Sequence, residues 1–402
     1  MKKIYLWGAG FWADYVYQKI NRRDFEILGM IDSDINRQNT EWKDGIIIYT
    51  PQRLILDFFD YLLITPQKYG GIRKQCLEMQ IPEEKILVYW RDEEYQGVIE
   101  NRSYYIDFLE KENQKYLRRL ENAPFEYGME QIPVIKSSVE LLKYILNANA
   151  SLSRFGDGEF ELMLERPRPW FQKVDKQLAD RLKEIIHADV KENIVIAIAD
   201  DFGCLEKYTE KAADGIRAYM TKHTRADIMK FIDLKREYYD AYVTRPYMIY
   251  KNKKNAAEIF SLFKKIWRNR NVILVEGKYA RIGAENDLFA DALSVRRILC
   301  PQKNAWNRYE EILQCVKMAI KSGDLVCVSL GPTATIMAYD LSQMGFQTLD
   351  IGQLDNEYEW CMRSAEERIA VPYKMTAEVN NSGIDDLPVY SEYYAQIIGE
   401  IV

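Results

Sequence analysis

The stretch Ser151-Leu-Ser-Arg-Phe-Gly-Asp-Gly-Glu159 joins an apolar, extended segment to a turn that carries two carboxylates. On an ideal helix, residues two positions apart point about 200° away from each other, so Asp157 and Glu159 could not share a ligand there. In a strand or turn they can point the same way, and the glycines beside Asp157 let the backbone bend. Two carboxylates on one side of a turn suit a hard divalent cation that also binds phosphate. The stretch therefore predicts a metal site, with Arg154 placed to meet an anion.

The length, charge and apolar content of the chain indicate which classes of protein it could belong to. The chain has 402 residues, a net charge of -6 and 48% hydrophobic residues. At roughly 150 residues per domain, this length predicts two or three domains. The net negative charge argues against a basic surface that binds nucleic acid. No run approaches the ~20 apolar residues of a transmembrane segment. The N-terminal apolar run is too short for a signal peptide, and six scattered cysteines indicate reduced thiols, so we expect a cytoplasmic protein.

Residues 1–92 predict a small Rossmann-like domain with a parallel sheet. Apolar runs typical of strands alternate with helical stretches. These runs are 2–7, 27–31, 46–49, 61–65 and 85–89. The first strand leads into Gly8-Ala-Gly10, which is close to the dinucleotide fingerprint, with Ala13 in place of its third glycine and Asp32 about 20 residues on. Gly8, Gly10 and Asp32 are therefore candidate nucleotide-binding residues, although such a turn can also simply connect a strand to a helix.

Residues 93–132 predict a helical connector. Tyr105, Leu109, Tyr116 and Leu120 lie on one face at helical spacing, among many charged residues, which predicts an apolar stripe that packs. The following segment, 122–128, is rich in helix-breaking residues and predicts a domain boundary.

Residues 133–402 predict a larger, doubly wound α/β domain. A capping box at Ser137-Ser-Val-Glu140 opens its first helix. Buried strands are predicted at 194–198, 271–275, 325–330 and 346–350, with helical segments between them. In such sheets the ligand crevice lies outside the carboxyl ends of the strands. Polar and glycine residues cluster at those ends, which predicts the functional site there.

Each strand end allows a functional and an ordinary interpretation. Gly331-Pro-Thr333 offers amides and a hydroxyl to an anion at a helix N-terminus, or is a plain turn with a threonine cap. Lys278 and Glu276 follow a buried strand, where Lys278 suits a leaving diphosphate or a surface ion pair. Arg245 is a cation on a segment stiffened by proline, or an ordinary surface arginine.

Two acidic segments allow the same pair of interpretations. Asp355-Asn-Glu357-Tyr-Glu359 could supply a general base for an acceptor hydroxyl, or could be an acidic helix start that complements the macrodipole. For Asp200 and Asp201, turn propensities favour an Asx turn and cap over a supporting role in the site.

Five motifs, in this order, resemble those of the GT-D type glycosyltransferases, a family first catalogued as a domain of unknown function. They are Arg154-Phe-Gly-Asp-Gly-Glu159, Arg245-Pro-Tyr247, Val275-Glu-Gly277, Leu330-Gly-Pro-Thr333 and Asp350-Ile-Gly-Gln-Leu-Asp-Asn-Glu-Tyr-Glu359. The resemblance covers residues 133–375, and the order of five spaced motifs is more specific than any single one.

The resemblance implies metal-dependent transfer of a sugar, typically glucose, from a UDP-sugar to a glycan or glycoprotein acceptor. Asp157 and Glu159 would hold Mn²⁺ or Mg²⁺ against the donor diphosphate. Donor-binding candidates are Arg154, Arg245, Glu276, Lys278, Gly331 and Thr333, and catalytic candidates are Asp355 and Glu357. Gln353 stands where the resemblance leads us to expect histidine, which leaves the acceptor open.

Two other hypotheses centre on the N-terminal residues. The Gly8/Gly10 turn could serve an NAD(P)-dependent sugar oxidoreductase or epimerase, but the C-terminal part has no obvious Tyr-x-x-x-Lys pair for that chemistry. Alternatively, the N-terminal domain could be a non-catalytic module for docking or nucleotide sensing.

Overall fold

The computed structural model describes residues 1–91, 102–167, 171–189, 192–376, 379 and 391–401, without the side chains of 102–108. The chain divides into two compact units, Met1–Leu117 and Arg118–Val402. Each unit contains a mainly parallel sheet with helices, which confirms the predicted α/β class. The domain boundaries at residues 92 and 132 stay predictions, and residue 92 lies outside the described residues.

The first unit is built on a sheet in the order β3-β4-β2-β1-β5-β6. Its strands are β1 (Lys2–Trp7), β2 (Phe25–Ile31), β3 (Glu41–Lys43), β4 (Ile46–Tyr49), β5 (Tyr61–Ile64) and β6 (Ile86–Val88), and its helices before residue 92 are α1 (Phe11–Lys19), α2 (Arg53–Leu56) and α3 (Gly70–Glu78). All ladders are parallel except that between β3 and β4. The predicted strands of this region are therefore confirmed.

Side chains of the protein itself contact the turn between β1 and α1. Gly8 has a φ of +102°, and a Cβ there would lie 2.5 Å from Pro66 Cγ. The Ala9 N–H donates to the Asp32 carboxylate at 2.8 Å. Gly10 has open space around it and a φ of -92°. Asp32 thus supports the turn directly, and nucleotide binding by these residues stays a prediction.

Helix α4 (Arg102–Glu126) extends into the segment that was expected to break it. Asn122 is buried, and its Oδ1 accepts a hydrogen bond from Arg225 Nη2 at 2.8 Å. Arg217 donates to both carboxylate oxygens of Glu126, at 2.7 and 2.8 Å. Because these contacts hold the last turn against the second unit's own helices, Pro124 is tolerated near the helix end.

Three members of the expected apolar stripe of α4 are largely exposed. Leu109, Tyr116 and Leu120 are 47%, 60% and 71% exposed, so that prediction is wrong for these residues. The side chain of Tyr105 lies outside the described part of the chain. The helix is instead attached through the polar face at its C-terminal end.

The second unit is built on a parallel sheet in the order β15-β12-β11-β13-β14-β8-β9-β10-β7. The strands are β7 (Val134–Lys136), β8 (Ser151–Phe155), β9 (Ile194–Ile198), β10 (Glu237–Asp240), β11 (Asn271–Gly277), β12 (Ser294–Cys300), β13 (Leu325–Ser329), β14 (Thr348–Asp350) and β15 (Ile397–Glu400). The helices are α5 (Ser138–Ala148), α6 (Asp157–Met163), α7 (Lys176–Ile186), α8 (Glu210–Tyr219), α9 (Lys222–Ile228), α10 (Lys254–Trp267), α11 (Tyr309–Ala319), α12 (Pro332–Gln343), α13 (Leu354–Met362) and α14 (Glu392–Ala395).

Both faces of this sheet are buried. Along β11, Val272 and Leu274 belong to one hydrophobic core, and Ile273 and Val275 belong to the other. Parallel sheets covered on both faces contain such continuous apolar strands. The four strands predicted from apolar runs are confirmed, and so is the capping box of α5.

No helix in the described ranges is both long enough and apolar enough to cross a membrane.

The β1–α1 turn yields a paired test of its glycines. We expect Gly8→Ala to destabilise the first unit by about 2 kcal/mol, because the new methyl group meets Pro66 at a left-handed φ. Gly10→Ala should change stability by less than about 1 kcal/mol. Hydrogen exchange of the β1 amides, measured on the full chain by mass spectrometry, reports both values. Faster exchange in Gly10→Ala than in Gly8→Ala would contradict this account.

Candidate active site

Five neighbouring strands of the second sheet end at segments that carry most of the candidate residues. In sheet order they are β13, β14, β8, β9 and β10. The segments after them begin at Leu330, Ile351, Gly156, Ala199 and Ala241, respectively. The chain leaves β8 toward β9 but leaves β14 toward β15 at the far edge, so the two connections diverge between adjacent strands. Ligands bind at such points in parallel α/β sheets, which places the candidate site here.

Arg154 joins the ends of β8 and β14. Its guanidinium donates to the Asp350 carboxylate at 2.7 Å and to the Asp350 carbonyl oxygen at 2.9 Å. Gly352 has a φ of +44°, and a Cβ there would lie 2.2 Å from Arg154 Nη2. Burial raises the pKa of Asp350, and the charge of Arg154 opposes that rise. Arg154 thus holds the ends of β8 and β14 together where the two chain connections diverge. Its contact with a sugar donor stays a prediction.

The Asp-x-Glu pair lies in the first turn of a helix, so the expectation of a non-helical turn is wrong. Helix α6 begins at Asp157 because the Glu159 carboxylate reaches back and accepts the Gly156 N–H at 2.8 Å. Burial raises the pKa of Glu159 to about 7, although the Gly156 N–H opposes that rise. Asp157 is exposed. Shared metal binding by the two carboxylates stays a prediction.

Asp201 lies buried at the end of β9, beside these acids. It is 5% exposed, and burial raises its pKa to about 8, with further increases from the charges of Asp157 and Asp200. The nearby Arg225 guanidinium donates to the Phe202 carbonyl oxygen at 2.9 Å. The expected Asx turn at Asp200 and Asp201 does not form among the described hydrogen bonds. A double aspartate at a strand end was the available signal for this buried acid.

Tyr219 and Tyr242 border the same acids. Burial raises the pKa of both hydroxyls; for Tyr242 the charges of Asp201 and Asp157 contribute next. For Tyr219 the charge of Glu161 comes before those two. The Tyr219 hydroxyl donates to the Asp157 carbonyl oxygen at 3.3 Å. Sequence patterns do not single out these residues, because they are two of 28 tyrosines.

Unpartnered polar atoms lie on three of the strand-end segments. Thr333 Oγ1, Gln353 Oε1 and Thr244 Oγ1 are buried and have no hydrogen-bond partner within the described ranges. Gly331 precedes helix α12 with a φ of +57°, and no described side chain caps that helix. Buried polar groups are normally paired, so such a concentration is typical of an edge that receives a ligand.

Glu357 contacts the main chain through one of its two carboxylate oxygens, and the other, Oε1, has no hydrogen-bond partner among the residues that the structure describes. The residue is fully buried, and its Oε2 accepts the N–H groups of Tyr247 and Met248, both at 2.8 Å. Burial raises its pKa, and the charge of Arg245 opposes that rise. Glu357 therefore positions the segment that follows Arg245, and a catalytic role stays a prediction.

Asp355 belongs to a buried network with Lys374. Its carboxylate accepts from Lys374 Nζ at 2.8 Å, from Gly283 N at 2.9 Å and from Asn286 Nδ2 at 2.8 Å. Lys374 also donates to Glu359 at 3.0 Å. These bonds connect α13 to the segments that contain Gly283 and Lys374. Asp355 therefore stabilises the fold, and its role as a base stays a prediction.

Glu276 and Lys278 lie at the end of β11, outside the five-strand group. Glu276 is fully buried, pairs with Arg297 at 2.6 Å and accepts the Ile282 N–H at 2.6 Å. Lys278 pairs with Glu400 at 2.9 Å, and both side chains are well exposed. Their binding of a donor stays a prediction.

Comparison with known families identifies the second unit. The model of the glycosyltransferase GT-D fold matches residues 152–379, more than half of the chain. The chain belongs to the GT-D glycosyltransferases. Residues 1–87 match a second family, described as C2185-like, N-terminal.

Named relatives agree with this membership. The chain is 36% identical over 252 residues to a probable glycosyl transferase Gly of Streptococcus gordonii, covering 62% of this chain and 36% of that protein. It is 34% identical over 268 residues to the glycosyltransferase GlyD of Streptococcus pneumoniae, covering 67% of this chain and 32% of that protein. The match thus spans about a third of the length of these relatives.

A solved structure supports the fold assignment. It is the domain of unknown function 1792, described as having a distinct glycosyltransferase fold, and it superposes with a TM-score of 0.64 at 32% identity. The match covers 72% of this chain and 100% of the solved domain. This match agrees with the membership of the chain in the GT-D family.

The carboxyl ends of the strands in the GT-D sheet carry oxygen ligands for a divalent cation. Within the described residues, no group of three or more His, Cys, Asp or Glu side chains is arranged as a complete metal site. Mg²⁺, however, is commonly bound by one or two carboxylates together with substrate phosphates. The exposed Asp157 carboxylate, whose charge acts on the buried Asp201, suits that arrangement.

The buried pair at β11 can be tested separately from catalysis. Arg297→Met should destabilise the GT-D unit by about 3–5 kcal/mol, because Glu276 would be left buried without its partner. Lys278→Met removes an exposed ion pair and should cost less than about 1 kcal/mol. Urea denaturation followed by circular dichroism measures both. Equal effects of the two substitutions would contradict the distinction.

Proposed function

We propose that this chain transfers a hexose, most simply glucose, from a UDP-sugar to a hydroxyl group of a glycan or glycoprotein, with Mn²⁺ or Mg²⁺. One observation carries the proposal: acidic strand ends and an uncapped helix N-terminus meet at the divergence point of the GT-D sheet. The relatives' names specify glycosyl transfer without a donor or acceptor. UDP, glucose and the glycan therefore rest on the resemblance of the five motifs.

The donor diphosphate would bind at the carboxyl ends of the strands, between the N-terminus of α12 and Asp157. The first N–H groups of α12 and its macrodipole favour an anion beside Gly331, where Thr333 supplies a hydroxyl. Asp157, on the neighbouring side, would hold the cation. When bound, that cation neutralises charge on the departing diphosphate.

Transfer also requires a group that accepts a proton. The acceptor oxygen forms a bond to the anomeric carbon as the bond to the diphosphate breaks, and the hydroxyl proton leaves to a base. Asp355 and Glu357 are the predicted bases. Both carboxylate oxygens of Asp355 already accept hydrogen bonds, so Asp355 would have to exchange a partner to act. Glu357 accepts from Tyr247 and Met248 through Oε2, and its buried Oε1 has no hydrogen-bond partner within the described ranges.

The Asp-x-Glu pair provides the direct test. With a panel of UDP-sugars and Mn²⁺, Asp157→Asn should lower the rate of transfer or donor hydrolysis by about 100-fold, because the diphosphate loses its counter-charge. Glu159→Gln keeps an oxygen able to accept the Gly156 N–H, so a similar loss would indicate a role beyond capping.

Glu165→Gln is the matched control, because this exposed carboxylate follows α6 and pairs weakly with Lys183 at 3.5 Å. It should keep wild-type rates. Undiminished transfer in both Asp157→Asn and Glu159→Gln would reject the assignment of the metal pair. A loss confined to Asp157→Asn would assign Glu159 to the helix cap.

A further inference from the structure

The C-terminal half of helix α4 is attached to helices α8 and α9 through one side only. The side chains of Glu121, Asn122 and Glu126 accept hydrogen bonds from residues of these two helices. The Arg225 guanidinium lies over the Phe125 ring, 4.0 Å from its centre. On an α-helix these four positions of α4 fall within an arc of about 140°. The other side of the helix is therefore turned away from these contacts.

That other side carries exposed side chains at the spacing of a coiled-coil seam. Leu109 and Tyr116 are seven residues apart, and so are Asn113 and Leu120, with steps of four, three and four between successive members. The four residues fall within an arc of about 60°, centred opposite the attached side. Leu109, Tyr116 and Leu120 are 47%, 60% and 71% exposed, and Asn113 is exposed as well. Apolar residues at alternating steps of three and four are typical of a helix that packs along another helix.

This stripe, Leu109, Asn113, Tyr116 and Leu120, is complementary to itself when two copies run antiparallel. With a twofold axis between positions 114 and 115, Leu109 faces Leu120 of the partner subunit. Asn113 then faces Tyr116 of the partner subunit, so that the only amide of the stripe meets a hydroxyl group. Both outer layers are thus apolar, and both inner layers pair two groups that can hydrogen-bond.

The charges beside the stripe also favour the antiparallel direction. Glu112 lies next to Arg119 of the partner subunit in that arrangement, and the same pair recurs across the axis. In a parallel pair, Glu112 would instead lie next to Leu117 and gain no counter-charge. Arg119 pairs with Asp214 of its own chain at 3.4 Å, and the five N–H donors of a guanidinium can serve a second carboxylate.

The attachment of α4 lowers the cost of such an association. Isolated helices of this length are marginal in water, so a free helix would have to be ordered before it could pack. The bonds from Arg217 to Glu126 and from Arg225 to Asn122 already hold the helix. Because little conformational entropy remains to be lost, even a stripe of about three turns should give a dissociation constant on the order of 10 µM.

We propose that α4 is a dimerisation helix, whose exposed stripe packs antiparallel against the same stripe of a second copy of this chain. One patch meets itself across a twofold axis, so the assembly closes at two subunits. The contact uses none of the candidate site residues, and the inference is independent of the proposed transfer chemistry.

Sedimentation equilibrium of the full chain, at about 1 to 200 µM, tests the dimer. The wild type should pass from the 47.4 kDa monomer to twice that mass. Leu120→Lys should stay monomeric, because two lysine charges would enter the seam. Its thermal midpoint at low concentration should stay within about 2 °C of wild type, because Leu120 is exposed in the single chain. Met318→Lys, at an 82% exposed position of α11, is the matched control and should dimerise like the wild type.

A charge exchange tests the antiparallel direction. Glu112→Arg should weaken dimerisation by about fivefold, because like charges then meet on both sides of the axis. The double variant Glu112→Arg with Arg119→Glu should recover the wild-type affinity, because it restores opposite charges across the antiparallel seam.

A wild-type chain that keeps the monomer mass over the whole concentration range overturns the inference. So does a Leu120→Lys chain that dimerises as tightly as the wild type, since the contact then lies elsewhere. A monomeric wild type whose stability falls with Leu120→Lys shows that another segment of the same chain covers the stripe, which also rejects the dimer. Failure of the double variant to recover affinity rejects the antiparallel contact.

Discussion

The junction between β8 and β14 depends on side-chain hydrogen bonds, because its main-chain ladder is very short. Leu152 and Leu349 are its register pair. At one end of this pair, Ser151 Oγ accepts the Thr348 N–H at 2.9 Å, across 197 residues of sequence. At the other end, Arg154 and Asp350 form a partly buried ion pair at 2.7 Å. The two halves of the GT-D sheet meet here, so the edge that carries the candidate site exists only while this junction holds.

The predictable part of the fold consists of strands whose burial needs no polar partner. Ile194–Ile198 is uniformly apolar and Leu325–Ser329 is apolar up to its final serine, and both strands were predicted. Ser294–Cys300 was missed because Arg296 and Arg297 interrupt its apolar pattern. The fold buries Arg297 by pairing it with Glu276 of the neighbouring strand β11, at 2.6 Å. A pairing that forms only in three dimensions leaves no period along the sequence.

In the candidate site, too, some features were visible in the sequence and others arise only from the fold. Glycine and acid spacing made Asp157 a candidate, and its role in the site stays a prediction. That spacing did not reveal that Glu159 caps its own helix, since a capping box and a ligand pair use the same residue types. Asp355 and Glu357 resembled an acidic helix start, and only their partners show how deeply they are embedded. Asp201 was undervalued because burial, which makes it unusual, is not visible in a dipeptide.

The C-terminal turn of α4 limits how far the chain can be shortened from its N-terminal side. The family match begins at residue 152, and a boundary drawn from helix breakers falls near residue 132. A fragment that starts at either point would lack Asn122 and Glu126, the hydrogen-bond partners of Arg225 and Arg217. Arg225 would then keep its hydrogen bond to the Phe202 carbonyl oxygen and lose the one to Asn122. A fragment intended to retain an intact acidic edge should therefore begin upstream of Arg118, where the second compact unit starts.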